Sequence, residues 1–345
     1  MITTQRAKEI IESAKGKTVL AVGDVMLDAY LTGKVDRFSQ EAPVPVVVVD
    51  DEKFFPGGAG NAAACMAAIG LQPHLLSVVG DNGRIHYDKI LEEECKNAGI
   101  MPHFSNDSSR KTTLKLRLAA VKTTKQHVAR VDIEDTFPLS SEKEEEILEY
   151  LEGLTPQLDP PAITLHDYKK GFLTKKIFAT VAKISADRKI PVFADLKQDT
   201  FVKLRKLIQA PELFFLKPNR VESVETAKVL KSFDKDGNTD EEIIETAKII
   251  QSEIPIQIII TRGRKGAVLF EIGKDPYFVR PEEVEEQFDV AGAGDTVEAF
   301  LVAAYLGGAT MPEALELAIA ASQVAIRKFG TSVVTEEELL KQLED

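Results

Sequence analysis

The stretch DVAGAGDT, residues 289–296, brings the chemistry of this 345-residue chain into one place. Gly292, Ala293 and Gly294 run directly into a helical pattern carried by Val297, Phe300, Leu301 and Ala304. Backbone N–H groups at a helix start are unpaired and sit at the positive end of its dipole, so this turn is suited to holding an anion. Asp295, itself an anion, follows at once, and two readings fit it. It is an N-cap, accepting backbone N–H groups. Or it is a general base that takes a proton from a hydroxyl while the neighbouring amides hold the phosphoryl group which that hydroxyl attacks. Two other glycine motifs lead nowhere. GKT at residues 16–18 ends like a P-loop, but Ile11 stands where the spacing requires glycine, and the segment precedes its strand. GAGNAA from Gly58 has the letters of a dinucleotide fingerprint but follows a β-rich excursion rather than the first strand of a βαβ unit.

The elements that must position these residues follow from periodicity. TVLAVGD is a buried strand ending at Asp24, and VPVVVV (residues 44–49) is a second β-rich run. The cluster PGGAGN then leads into a helix ending near Gly70, followed by the strand LLSVVGD and a helix over 84–98. TTLKLRLAAV and QHVARVD alternate polar and apolar residues, which predicts a half-exposed antiparallel hairpin. Beyond Ser140, helices alternate with AITLHD, PVFAD, LFFLKPN and IQIIITRG. That rhythm predicts a mostly parallel sheet covered by helices. Three helices close the chain, starting near Gly294, Met311 and Thr335. We read residues 1–345 as one α/β domain, with a β-lid made from about 30–55 and 111–132.

Composition narrows the partners. Forty-three Lys and Arg face 55 Asp and Glu, a net charge of −12 that suits neither nucleic acid nor an anionic membrane, while leaving room for a local basic pocket. Cys65 and Cys95 give no disulfide framework or zinc pattern, and the five histidines lack metal-site spacing, His166 included. No signal-peptide core or long apolar run stands out, so a cytoplasmic location is expected.

DVAGAGDT resembles the C-terminal signature of the ribokinase-like, or PfkB-type, sugar kinases, and PGGAGNAA their N-terminal glycine signature. KPNRVE is similar to their Asn-x-x-Glu element and TRGRKG to their nucleotide-contacting turn. These occur in the family's order over nearly the whole chain. VGDVMLDAYLTGKVDRFSQEAPVPVV, TTLKLRLAA with QHVARVD, and LHDYKKG resemble, within it, the heptose 7-phosphate kinases of lipopolysaccharide-core synthesis. Gln40, Ala291 and Leu196 stand where that pattern has proline, threonine and proline. The chain leaves no room for the nucleotidylyltransferase domain that some relatives carry fused, so that activity is expected from a separate protein.

The resemblance implies a ribokinase-like three-layer sandwich and a set of roles. Asp295 is the base beside an anion hole at Gly292, Ala293 and Gly294. Asp28, Gly57, Gly58 and Asn61 contact the sugar, although the glycines would also suit a helix start needing positive φ and Asn61 a cap. Asp167 contacts the sugar and Lys170 a phosphate, or Lys170 is a solvated loop charge. Arg117 and Arg130 clamp a substrate phosphate, or are ordinary strand charges. Lys197, Thr261 and Gly263 face the ATP phosphates and Ser322 the purine. Asn219 and Glu222, three apart, orient Mg²⁺ through water, unless Asn219 is a simple cap. A monovalent cation, K⁺, near Asp289 is a further implication, and so is a homodimer closed through the lid's strand edge. The expected reaction is phosphorylation of the anomeric hydroxyl of heptose 7-phosphate by Mg²⁺–ATP. The rivals are a PfkB-type kinase for another sugar, sugar phosphate or nucleoside, and a non-catalytic sugar or nucleotide sensor.

Overall fold

The computed structural model describes residues 2–120, 126–281, 292–328 and 332–344. In chain order the elements are α1 (Thr4–Ala14), β1 (Thr18–Gly23), β2 (Val25–Phe38), β3 (Pro45–Gly58), α2 (Ala59–Ala68), β4 (Gln72–Gly80), α3 (Tyr87–Asn97), β5 (Met101–Asp107), β6 (Leu114–Ala120) and β7 (Gln126–Ile133). There follow α4 (Ser141–Leu158), β8 (Ile163–His166), α5 (Lys175–Arg188), β9 (Val192–Asp195), α6 (Gln198–Leu204), β10 (Phe214–Leu216), α7 (Arg220–Leu230) and α8 (Asp240–Glu253). The chain finishes with β11 (Gln257–Thr261), β12 (Ala267–Phe270), β13 (Tyr277–Val279), α9 (Ala293–Leu306), α10 (Met311–Ala325) and α11 (Glu336–Gln342).

Nine strands form one sheet in the order β13-β12-β11-β10-β9-β8-β1-β4-β5. From β11 to β5 every pairing is parallel, and the β12–β13 edge is antiparallel. The parallel strands are continuous apolar runs because both faces are covered. In β1, Leu20 and Val22 pack under α4 and α5, whereas Val19 packs under α1, α2 and α9. In β11, Ile258 and Ile260 take the first side and Ile259 the second. This period-two division makes a three-layer sandwich.

The second sheet has the order β3-β2-β6-β7. β6 and β7 pair antiparallel as their alternation predicted, and β2 joins β6 in parallel. Its apolar side carries Leu27, Ala29 and Leu114 against the strands and helices of the main sheet. Its polar side aligns Asp28, Tyr30, Lys115, Arg117, Arg130 and Asp132, since Asp28 lies opposite Lys115, and Arg117 opposite both Tyr30 and Arg130. β2 starts two residues beyond β1, so the small sheet grows directly from the C-terminal edge of the large one.

Two expectations are corrected. The helix expected over 84–98 begins at Tyr87, because Asp81 accepts the Gly83 N–H in a turn whose glycine has φ 77°. β5 was not anticipated: MPHFSND alternates weakly and gains its partner only from β4.

Candidate active site

The parallel strands point their C-terminal ends at one crevice, as open α/β sheets do where ligands bind. Around it lie Asp24 after β1, Asp167 after β8, Asp195 ending β9, Lys217 after β10 and Thr261 ending β11. α9 brings its N-terminus there. Its N-cap is Gly292, in the left-handed region at φ 78° and ψ −5°, a conformation that glycine adopts without strain. Asp295 is therefore the third residue of the helix and makes no cap. Its carboxylate turns sideways, where Asn61 Nδ2 donates to Oδ2 at 2.5 Å and the Tyr168 hydroxyl donates to Oδ1 at 2.7 Å. Burial pushes the Asp295 carboxyl above the usual range, and the Asn61 and Tyr168 hydrogen bonds work against that shift. A partly desolvated carboxylate with both oxygens oriented has the features a general base requires.

α2 supplies Asn61 through the glycine pair. Gly58 is the N-cap of α2 at φ 62°, and a Cβ on Gly57 would stand 2.5 Å from Asp28 Oδ2. The glycines thus serve both the helix start and the close approach of β3 to Asp28. Asn61 caps nothing; it ties α2 to α9 across 234 residues of sequence.

Asp28 lies on the polar side of the small sheet, 4% exposed, and Arg117 Nη1 meets its Oδ1 at 2.6 Å. Burial raises the Asp28 carboxyl and Arg117 opposes the rise. Arg117 also lies over the Tyr30 ring at 5.0 Å. Arg130 is exposed and donates to Asp132 at 2.9 Å. Lys170 pairs with Glu134 at 2.6 Å, and Lys115 reaches Asp132 at 3.5 Å and Glu134 at 3.9 Å. Among the described residues, Lys115, Arg117, Arg130 and Lys170 therefore meet Asp28, Asp132 and Glu134 at this end of the crevice.

Asp167 is differently employed. Its Oδ1 accepts the Lys169 N–H at 2.8 Å and its Oδ2 the Lys197 N–H at 3.4 Å, so its visible work is joining two loops. Asp24 does more of the same, accepting the N–H groups of Tyr168, Lys170 and Phe172 at 2.8, 3.0 and 3.1 Å. These bonds fix the loop that presents Tyr168.

On the other side of Asp295, Lys197 Nζ reaches Glu222 at 2.7 Å and lies 5.8 Å from the Tyr168 ring centre. Asn219 and Glu222 form a reciprocal capping box at the start of α7. Thr261 bridges to Asn219, and Gly263 follows at φ 58° in a 3-10 turn. Lys197, Asn219, Glu222, Thr261 and Gly263 thus line the ends of β9 to β11. Ser322 lies in α10, and its hydroxyl donates to the Ile319 carbonyl of the same helix. Asp289 and Ala291 lie outside the described residues.

The donor set bears on a metal. Glu222 already holds Lys197 and the Asn219 N–H, and no group of three or more His, Cys, Asp or Glu is placed to ligate an ion among the described residues.

Three features escaped the sequence. Tyr168 was passed over although the quoted LHDYKKG contains it. Asp24 looked like a strand end. Buried Lys217 and Glu298, with half-buried Asp195, had no spacing to reveal them, because they come from three separate elements.

The fold is of the ribokinase-like kind, with a helix that starts at a glycine turn and an oriented carboxylate at the strand ends. The chain matches the pfkB family carbohydrate kinase profile over residues 17–338 and belongs to that family. The chain spans about two thirds of the length of the curated relatives it matches. It is 37% identical over 340 residues to the bifunctional protein HldE of Hyphomonas neptunium, an alignment covering 97% of this chain and 65% of that protein. Among solved structures, it is similar to ribokinase of Arabidopsis thaliana complexed with ribose and ATP, with a TM-score of 0.68, 19% identity and coverage of 96% and 99% of the two chains. It is also similar to phosphofructokinase-2 of Escherichia coli in complex with substrates and products, with a TM-score of 0.76, 14% identity and coverage of 95% and 98%.

Proposed function

We propose that this kinase transfers the γ-phosphoryl group of ATP to the anomeric hydroxyl of D-glycero-D-manno-heptose 7-phosphate, giving the 1,7-bisphosphate, in the cytoplasm. The observation that carries the reading is the Asp295 carboxylate, held by Asn61 and Tyr168 at the mouth of the glycine turn. The sugar hydroxyl gives its proton to Asp295 as its oxygen forms a bond to the γ-phosphorus. The bond from that phosphorus to the bridging oxygen of ADP breaks in the same displacement. The N–H groups of the turn at Gly292, Ala293 and Gly294 face the charge that develops on the phosphoryl oxygens.

The rest of the crevice divides by charge. Asp28 accepts a sugar hydroxyl, and Gly57 and Gly58 allow the ring to approach the backbone. Arg130, Lys115 and Lys170, with Arg117 behind them, receive the 7-phosphate. Lys197, Thr261 and Gly263 face the nucleotide phosphates, and Asn219 and Glu222 meet Mg²⁺ through water. Mg²⁺, when bound with ATP, neutralises charge shared by the β- and γ-phosphates. The heptose assignment rests on the resemblance of the small sheet and of LHDYKKG to heptose 7-phosphate kinases, and on similarity to relatives named HldE.

Phe38, Val44, Val48 and Val49 are exposed at the far end of β2 and β3, beside an edge strand. Covering them in a homodimer through the small sheets would remove that liability, and a monomer by light scattering at working concentration would refute it. The reaction itself is tested by ³¹P NMR of the product of heptose 7-phosphate and Mg²⁺–ATP. A second phosphorus resonance coupled to the anomeric proton supports the proposal; phosphorylation elsewhere, or none, overturns it.

A further inference from the structure

Asp295 stands over a buried charge cluster that the phosphoryl transfer leaves unassigned. Lys217, just past β10, is 5% exposed and its ammonium donates to Asp195 at 2.7 Å. A Cβ placed on Gly294 would lie 3.6 Å from Lys217 Nζ, so the ammonium is packed against the glycine turn. One helical turn beyond Asp295, Glu298 is 1% exposed, and neither of its oxygens has a hydrogen-bond partner among the described residues. Its nearest ionisable contact is His166 Nε2, 3.7 Å from Oε1.

Charge counting exposes the need for Lys217. Asp195, Asp295 and Glu298 all favour the charged form of Lys217, and Lys197 also acts on Asp195. His166 adds no positive charge near neutrality, because burial pushes it down to about 4. Among the described residues, the other titratable groups facing Asp295 are Tyr168 from the loop after β8 and Cys65 from α2, both raised by burial and so neutral. Lys197, on the far side of Tyr168, is held by Glu222. Burial raises the Glu298 carboxyl well above its usual range, with Lys217 opposing and both aspartates adding to the rise. Burial and Asp195 also drive Asp295 toward its neutral form, and Lys217 is the cation that resists.

We propose that Lys217 is a positioning residue for the phosphoryl transfer, its locked ammonium holding Asp295 as a carboxylate and backing the glycine turn with fixed positive charge. The proposal rests on Asp295 being the base. Asp195 fixes the ammonium in place, and Glu298 closes the cluster from below without adding a charge that would compete for Lys217.

The test is the pH profile of kcat/KM for the intact chain and for Lys217→Met, Lys217→Arg and Asp295→Asn. In Lys217→Met the acidic limb should move up by about one pH unit or more, with kcat/KM about tenfold or more lower below it. Lys217→Arg, which restores the charge, should return most of the limb. A residue needed only for packing would lower the rate equally at every pH, so an unmoved limb in a folded Lys217→Met overturns the proposal. Near-full activity in Asp295→Asn would instead remove the base, a separate failure. Should Lys217→Met lose its cooperative melt, Lys217→Gln keeps an amide for Asp195 and carries the same expectation.

Discussion

Removing only the hydroxyl of Tyr168 isolates the electrostatics of the base. Tyr168→Phe keeps the ring against Lys197, 5.8 Å away, and deletes the donor that meets Asp295 Oδ1 at 2.7 Å. A hydrogen bond to a charged group contributes about 1.5–3 kcal/mol, and one pKa unit corresponds to about 1.4 kcal/mol. The bond stabilises the carboxylate, so its loss raises the Asp295 carboxyl by roughly one to two units, adding to the rise that burial already causes. The base must be ionised, so the acidic limb of kcat/KM moves to higher pH by that amount. Below the limb the variant should be about 10- to 100-fold slower, and it should recover toward wild-type rates as the pH rises past the shifted limb. Coupled-enzyme detection of ADP with heptose 7-phosphate as acceptor gives the profile. Adding Tyr168→Phe to Asp295→Asn should cost little further, because the two residues act as a unit. A Tyr168→Phe limb superimposed on the wild-type one would refute the assignment of Tyr168 as a support for the base.

Other perturbations have sharp expectations. Gly57→Ala would force its Cβ onto Asp28 Oδ2, so KM for the sugar phosphate should rise at least tenfold while ATP binding, read by calorimetry, stays close to wild type. Asp24→Ala strands three N–H groups of the Tyr168 loop, one buried and two partly buried, a loss of about 2–5 kcal/mol from the penalty for unpaired donors that urea denaturation should detect. Arg130→Ala removes an exposed cation from the phosphate end of the crevice, so KM for the sugar phosphate should rise about three- to tenfold with little change in kcat, as expected where only uniform binding is lost.

Much of this arrangement was legible because it is local. Continuous apolar runs between helical patterns marked β8 to β11, and the glycines at 292 and 294 marked the start of α9 within a residue. At Asp295 the backbone removes the cap reading: the cap is Gly292, and the carboxylate is free to meet Asn61. That contact spans 234 residues and has no local trace, which is why Asn61 read as a cap or a sugar contact. β5 hid for a related reason, since an edge strand needs little more than its neighbour β4 to form. Lys217 was quoted within LFFLKPN only as the end of a strand, and its burial against Asp195 belongs to the packed sheet rather than to any short segment.

The central claim is most directly tested by ADP release from Mg²⁺–ATP with a panel of acceptors, measured for the chain and for Asp295→Asn. The panel is heptose 7-phosphate, fructose phosphates, ribose, free heptose and adenosine. The account predicts strong stimulation by heptose 7-phosphate and a loss of several orders of magnitude in the variant, which should still bind ATP. Stimulation by a different acceptor, or Asp295→Asn turning over near the wild-type rate, would contradict it.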